Sequence, residues 1–406
     1  MVLQMSLPIL PDPQTDIRSD LAGFAQFGAA TRIETSAGID YYINEFWTAR
    51  QRQAARLHEI SYRACFKPQL PAFFIERLTR PDDVVYDPFM GRGTTLVEAA
   101  LRGRVPFGND INPLSRAMVV PRLNTPDLDE ILSRLRRIPW HDFTAASHEE
   151  LLTFYHPRTL ALIEGLRDWL LRRKAEGCRD AVDDWIAMVA LNRLTGHSPG
   201  FFSVYTLPPN QAASVQSQRK INESRSQIPP FRDVADLIAR KSKSLLSSDP
   251  VHAGRSLILT GQAQSTPEIA DGEVALAVTS PPFLDIVDYE ADNWLRCWFL
   301  GIDPADVPIS RYRKVEDWQG FIAAVLVELA RVTRPGGHIA FEVGEVRNGS
   351  VRLEEAVIAA ASGLPLDPLG VMVNQQDFTK TSNCWGIANN SRGTNTNRIV
   401  LFRRQA

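Results

Sequence analysis

The 406-residue chain is poor in the features that would make it a metalloprotein, a disulfide scaffold or a membrane protein. Its four cysteines, Cys65, Cys178, Cys297 and Cys384, are scattered, with no two at the spacing of a zinc knuckle or a redox pair, so reduced thiols in a cytosol are expected. Seven dispersed histidines form no His-Glu-x-x-His string, and no metal centre is expected. No window approaches the apolar length of a membrane span, and Met1-Val2-Leu3-Gln4-Met5 opens no basic-then-apolar leader. A soluble, cytoplasmic protein without a membrane partner is therefore expected. A surplus of one charge is also lacking: the formal net charge is −2, so any nucleic-acid surface must be local. The chain has no internal repeat and no long low-complexity tract.

What is present is a sizeable apolar fraction, 44%, enough for one large core or two moderate ones. Residues 1–40 are rich in Pro, Gly, Thr and Asp and read as an arm with little regular structure, ending at about residue 45. Helical spacing begins over 47–60 and recurs over 68–78, where Leu70, Phe73, Phe74 and Leu78 share a face. Val84-Val85-Tyr86 has the look of a buried parallel strand. Residues 94–101 are helical with Gly103 as C-terminal cap, and 105–110 read as a second strand. Strand, turn, helix, strand is the opening of a doubly wound α/β sheet. A mainly helical stretch over 121–250, with helices at 157–174 and 181–194, interrupts it before strand patterns resume at 256–260, 274–278 and 338–343. The expected fold is α/β: a doubly wound, mostly parallel, Rossmann-like sheet drawn from 46–120 and 251–406 around a largely helical insertion.

Two strings carry the chemistry. The first, Asp87-Pro88-Phe89-Met90-Gly91-Arg92-Gly93-Thr94-Thr95, is a glycine turn between a strand and a helix. Gly91 and Gly93 let backbone come close to a ligand, and the helix beginning near Thr94 points unpaired N–H groups at the same spot. Asp110 ends the next strand, followed by Ile111; a carboxylate about twenty residues after a glycine turn is the arrangement that grips ribose hydroxyls. The spacing is not Gly-x-Gly-x-x-Gly, so a dinucleotide is not the expected ligand. The second string, Thr279-Ser280-Pro281-Pro282-Phe283, ends a later strand. Its prolines fix two φ angles and remove two backbone donors, so the corner presents carbonyl oxygens. Ser280 adds a hydroxyl acceptor and Phe283 an aromatic face.

Together the strings resemble the S-adenosylmethionine-dependent methyltransferases that methylate an exocyclic amino group of a DNA base. The resemblance covers roughly residues 60–118 and 255–403, and includes Phe66-Lys67-Pro68 ahead of the turn and Arg331-Val332-Thr333-Arg334-Pro335-Gly336-Gly337-His338 ahead of a later strand. It implies S-adenosylmethionine as cofactor, held by Lys67, Pro68, Asp87, Phe89, Gly91, Gly93, Thr94, Thr95, Asp110 and Ile111, with Asp87 neutralising the methionine amino group. The family's acid near the adenine ring, in a Gly-Asp-Ala context, is here Gly261-Gln262-Ala263, and Gln262 can still hydrogen-bond adenine. The resemblance also implies that Ser280, Pro281, Pro282 and Phe283 are catalytic. Positioned oxygens accept the amine hydrogens and favour a pyramidal nitrogen for direct in-line attack, with no covalent enzyme intermediate, while Phe283 stacks on a base rotated out of the duplex.

Glycine turn first, insertion next and catalytic corner last is the order called alpha in this family, which makes 121–250 the target-recognition region. Residues 185–245 hold eight Lys/Arg against three acids, a local +5 suited to phosphates, and Asn210, Gln211 and Gln218 are candidates to read base edges. A solvated helical face is the plainer reading. Asn293 and Trp294 are candidate walls of a base pocket, with a core role the plainer reading for Trp294. Thr279-Ser280 before Pro-Pro points to cytosine N4 rather than adenine N6. The expectation is a site-specific cytosine-N4 methyltransferase of double-stranded DNA, of restriction-modification type, with any cognate endonuclease acting separately. Adenine-N6 methylation, methylation of an RNA amine, and non-catalytic nucleic-acid binding on the same fold stay open, and the oligomeric state is not indicated.

Overall fold

Parallel strands buried on both faces need apolar side chains on both, and β3 (Val84–Asp87) supplies them. Val85 packs with Leu70 and Phe74 on one side of the sheet, while Val84 and Tyr86 pack with Leu326 and Leu329 on the other. In the computed structural model, which describes residues 16–47, 54–63, 65–144, 146–247, 250–282, 289–308, 312–343, 351–376 and 395–406, β3 lies inside a nine-stranded sheet. The other strands are β1 (Arg32–Ser36), β2 (Ile39–Asn44), β4 (Val105–Asp110), β5 (Leu257–Thr260), β6 (Val274–Thr279), β7 (Thr333–Val343), β8 (Leu366–Gln376) and β9 (Asn395–Arg404). Their spatial order is β1-β2-β8-β9-β7-β6-β3-β4-β5. The run β7, β6, β3, β4, β5 is parallel throughout, and β9 enters antiparallel between β7 and β8. The chain leaves β3 for β4 on one side and later returns with β6 on the other, so strand order reverses at β3. In sheets of this kind ligands sit in the crevice beyond the strand ends at that reversal.

Helices α2 (Gln69–Leu78) and α3 (Thr94–Leu101) pack on one face, and α11 (Val315–Val332) and α12 (Leu353–Ala360) on the other. Residues 121–250 hold α5 (Leu128–Arg137), α6 (Pro157–Ala175), α7 (Ala181–Leu191), α8 (Val215–Ser224) and α9 (Val234–Leu245), with no strand among the described residues. Their core continues from Leu96 and Met118 to Trp185 and Ile238 and on to Leu295 and Phe299. The helical block is thus packed onto the sheet through α4 (Pro113–Leu123), with α10 (Tyr289–Leu300) packed against α4, α6 and α7. Among the described residues, no helix is long and apolar enough to cross a membrane.

Two expectations change, and one strand was not foreseen. Residues 16–44 are not an irregular arm: they form α1 (Ile17–Ala22) and the β1–β2 hairpin, which joins the sheet because Tyr41 and Tyr42 bury against β8 and α1. In the described part of 47–60, the helical pattern yields only a 3-10 turn at Arg56–His58. Strand β8 was hidden by Pro368 and Gly370, which sit at a register shift against β9, with Gly370 at φ +134°.

Candidate active site

The two strings touch. Asp87 at the end of β3 and Thr279 at the end of β6 lie on neighbouring parallel strands, and Thr279 Oγ1 donates to Asp87 Oδ1 at 2.6 Å. Phe89 N donates to the same oxygen at 3.0 Å. Thr95, the second residue of α3, donates its hydroxyl to Val278 O at 3.1 Å. Beyond the strand ends lies a cavity with about 1110 Å³ of empty space, counting its open mouth. Asp87, Phe89, Gly91, Thr94, Asp110, Ile111, Gln262, Ser280, Pro281 and Pro282 all line it. Asp87 is 1% exposed and no Lys or Arg pairs with it among the described residues, so burial pushes its carboxyl up to about 7, offset by the Thr279, Phe89 and Thr95 donors.

The opposite wall is built on β4. Asp110 Oδ2 accepts from Gly91 N at 2.9 Å and Oδ1 from Asn112 N at 2.9 Å, which fixes its carboxylate at the rim of the glycine turn. Its pKa is raised by burial, against those two backbone donors and Ser115. Asn109 ties β4 to the segment after β5 by donating to Gly261 O at 2.9 Å, which sets Gln262 at the mouth. The turn itself demands glycine. Gly91 (φ +48°) faces the Tyr62 ring, and a Cβ on Gly93 (φ +75°) would stand 2.4 Å from Val119 Cγ2. A buried anion, a second carboxylate at the rim, and a glycine turn at a helix start make a site for a cationic amine beside a diol.

At the other end, the serine–proline corner is pinned from α11: Trp318 Nε1 donates to Pro282 O at 2.9 Å. Pro282 O is thus already engaged within the protein. Ser280 Oγ is buried with no hydrogen bond of ordinary geometry. Phe283 lies outside the described residues.

Some expected residues serve the cavity from outside it. Gly93 and Thr95 are not among the lining residues; the first lets α3 pack on Val119 and the second ties α3 to β6. Lys67 and Pro68 lead into α2, with Pro68 at its N-cap, and it is the adjacent Phe66 that reaches the wall. Asn293 and Trp294 also fall outside the lining. Asn293 accepts from Arg296, and Trp294 packs against the helical core, donating to Ala213 O at 3.2 Å. Gln218 cannot read a base in this state: it is fully buried and its amide donates to Tyr205 O at 3.0 Å and Asn222 Oδ1 at 2.8 Å. Gln211 accepts from Arg63 at 3.4 Å.

The sequence reading missed the segment before α2. Arg92, inside the glycine turn, donates to Ile60 O at 2.9 Å and Phe66 O at 3.3 Å. Arg122, fully buried in α4, donates to Leu57 O at 3.1 Å and to Arg92 O. Together they clamp that backbone so that Tyr62, Arg63 and Phe66 become a wall of the cavity. Arg63 in turn pairs with Asp292 of α10 at 2.7 Å. The only local signal was an arginine between the two glycines.

Parts of this chain are similar to known proteins. Over 70 residues the chain is 36% identical to the type II methyltransferase M.MjaII of Methanocaldococcus jannaschii, covering 17% of this chain and 13% of that protein. Over 60 residues it is 48% identical to the type II methyltransferase M.MvaI of Kocuria varians, covering 14% and 13%. The aligned stretches thus span about an eighth of either relative. A solved geranyl diphosphate methyltransferase in complex with SAM aligns over 84% of this chain and 85% of its own at 12% identity and TM-score 0.33. Residues 26–117, from the β1–β2 hairpin through the glycine turn to α4, match the family model described as DNA methylase.

Proposed function

We propose that this chain transfers a methyl group from S-adenosylmethionine to the exocyclic N4 amine of cytosine in a specific double-stranded DNA site. The observation that carries this reading is the Thr279–Asp87 hydrogen bond, which joins the acceptor corner and the glycine turn across one cavity. The residues present suit the donor: Asp87 offers an anion for the amino group, Asp110 a fixed carboxylate for the ribose hydroxyls, Phe89 an apolar face, and Gln262 an amide at the mouth for the adenine edge. When bound, S-adenosylmethionine supplies a sulfonium methyl whose carbon–sulfur electron pair leaves with sulfur.

The chain's own part is to orient and to exclude water. Ser280 Oγ and the corner carbonyls accept hydrogens from the target amine, which withdraws its lone pair from the ring and turns it toward the methyl carbon. Pro281 and Pro282 carry no N–H to compete for that lone pair, and Trp318 holds the corner still. Phe283 is proposed as the stacking partner of the rotated base. The basic stretch 185–245, packed beside α10, is proposed to hold the phosphates. The match of 26–117 to the DNA methylase model favours DNA over RNA as the substrate, and Ser280 before the prolines favours cytosine.

The test is to express the chain in cells free of other DNA methylation and sequence their DNA by a method that separates N4-methylcytosine from N6-methyladenine. N4-methylcytosine at one recurrent motif is expected. N6-methyladenine would overturn the base, and unmodified DNA from cells holding the folded protein would overturn the activity.

A further inference from the structure

The structure places a second functional group behind the acceptor corner. In the register of β6 and β7, Thr279 pairs with Phe341, so Ser280, the residue that follows β6, comes level with Glu342 of β7 and interacts with its side chain. Glu342 is 5% exposed, and its Oε1 accepts from Asn397 Nδ2 of β9 at 3.0 Å. Its other neighbour is the Ser280 hydroxyl, the same hydroxyl that is buried without a regular hydrogen bond. No Lys or Arg pairs with Glu342 among the described residues. The titratable groups on the strands packed about it are spoken for: Asp87 on β3 is bound by Thr279, and Arg398 on β9 pairs with Glu354 of α12 at 2.7 Å. Burial therefore raises the Glu342 pKa, with only Ser280 and Asn397 opposing.

A buried carboxyl without a cation costs several kcal/mol if ionised, on the order of an unpaired charge. Packing does not require one here, since β7 is otherwise apolar at this end (Ala340, Phe341, Val343). The reaction does have a use for it. An exocyclic amine that accepts a methyl group becomes cationic and must lose a proton, and neither proline, nor a backbone carbonyl, nor an alcohol is a base at neutral pH.

We propose that Glu342 is the proton acceptor of the methyl transfer, acting through Ser280. This rests on the reading above. As the nitrogen lone pair forms the new N–C bond, the C–S pair stays on sulfur as a neutral thioether. Ser280 Oγ takes one N–H proton while its own hydrogen passes to the Glu342 carboxylate. After product leaves, Glu342 returns that proton to water. Glu342 touches no substrate and is a positioning residue; before transfer, its carboxylate holds the serine hydrogen and turns the Oγ lone pairs toward the amine.

The experiment uses the full chain, tritiated S-adenosylmethionine and unmethylated genomic DNA. Glu342→Gln keeps size and an oxygen for Asn397. Its donor affinity by calorimetry is expected within about twofold of wild type, and its single-turnover methylation slower by about a hundredfold or more, the usual span for losing a general base. Saturating donor keeps Asp87 ionised, so the acid limb of the wild-type rate profile reports Glu342 and is expected to vanish in Glu342→Gln. Asn397→Ala, which removes a donor to the charged form, is expected to move that limb to higher pH. Independently of activity, the carbonyl stretch of a protonated buried carboxyl is expected in infrared spectra of the wild-type apoprotein at acid pH and absent from Glu342→Gln. Wild-type turnover in Glu342→Gln, or an acid limb that neither variant moves, overturns the assignment. If Glu342→Gln does not fold by circular dichroism, Asn397→Ala and Glu342→Asp decide by the same pH limb. An inactive wild type would instead remove the proposed methyl transfer itself, a different failure.

Discussion

Asp87→Asn removes a charge that the fold holds at a cost. The carboxyl is buried and ionises at about 7 instead of the ordinary 3.8, the cause being desolvation, with three hydrogen-bond donors already working against it. Between those two values the folded chain binds a proton that the unfolded chain does not. Stability therefore falls as pH rises from about 4 to about 7, and above 7 the full penalty of about 4 kcal/mol is present. Asparagine has no such term, although its NH2 group offers nothing to the Phe89 and Thr279 donors. The net gain expected for Asp87→Asn at neutral pH is therefore smaller, about 1–2 kcal/mol. The same substitution takes away the anion proposed to face the donor's amino group, worth about 2 kcal/mol or more when buried, or roughly thirtyfold in affinity. The assay is urea unfolding of both proteins from about pH 5 to pH 8, with calorimetric titration of S-adenosylmethionine. The stability gap should open as pH rises while donor binding is lost. A variant less stable than wild type at pH 8 would refute the electrostatic reading of Asp87, and one that binds the donor normally would refute its proposed role.

Ser280→Ala should cut turnover by about a hundredfold while leaving the donor dissociation constant within about twofold, read by single-turnover kinetics and calorimetry. Asp110→Ala should weaken donor binding by about tenfold or more, since it deletes a carboxylate fixed by Gly91 and Asn112; unchanged affinity would remove it from the ribose site. Gly93→Ala puts a methyl 2.4 Å from Val119 in left-handed backbone and should cost about 2–4 kcal/mol in urea unfolding, with Val119→Ala relieving the clash but not the backbone strain. Gln218→Ala should lower stability by about 1–2 kcal/mol and leave the methylated motif unchanged, because its amide is spent on Tyr205 and Asn222.

The parts of the site that could be read in advance are those whose cause is local. Gly91 and Gly93 announce positive φ because glycine adopts it without the Cβ penalty other residues meet, and two prolines in a row announce a corner without donors. Short apolar runs announced β3, β4 and β6 because a strand covered on both faces cannot alternate. What stayed hidden depends on partners far along the chain. The Arg92 and Arg122 clamp consists of bonds to backbone carbonyls, which leave no mark on the sequence they hold. Trp318 meets Pro282 across 36 positions, and Gln218, polar and flanked by basic residues, looked like a reader until its burial showed it bracing a loop. The β1–β2 hairpin was obscured because β1 is exposed along its whole length, so it carries no apolar alternation.

Thr279 shows how far a family pattern and a physical account can separate. In the sequence, Thr279 and Ser280 together favoured cytosine. In the fold, the Thr279 hydroxyl is turned to Asp87 at 2.6 Å, on the glycine-turn side of the cavity. Its position is explained by support of a buried carboxylate, a need that does not depend on which base is methylated. In the proposed function, choice of base then rests on Ser280 and on the Glu342 proposed to act behind it. A hydroxyl backed by Glu342 can accept an amine proton and pass one on, whereas an amide in its place would accept a hydrogen bond but relay nothing. The serine and the buried glutamate therefore make sense as a pair, and the threonine belongs with the glycine turn.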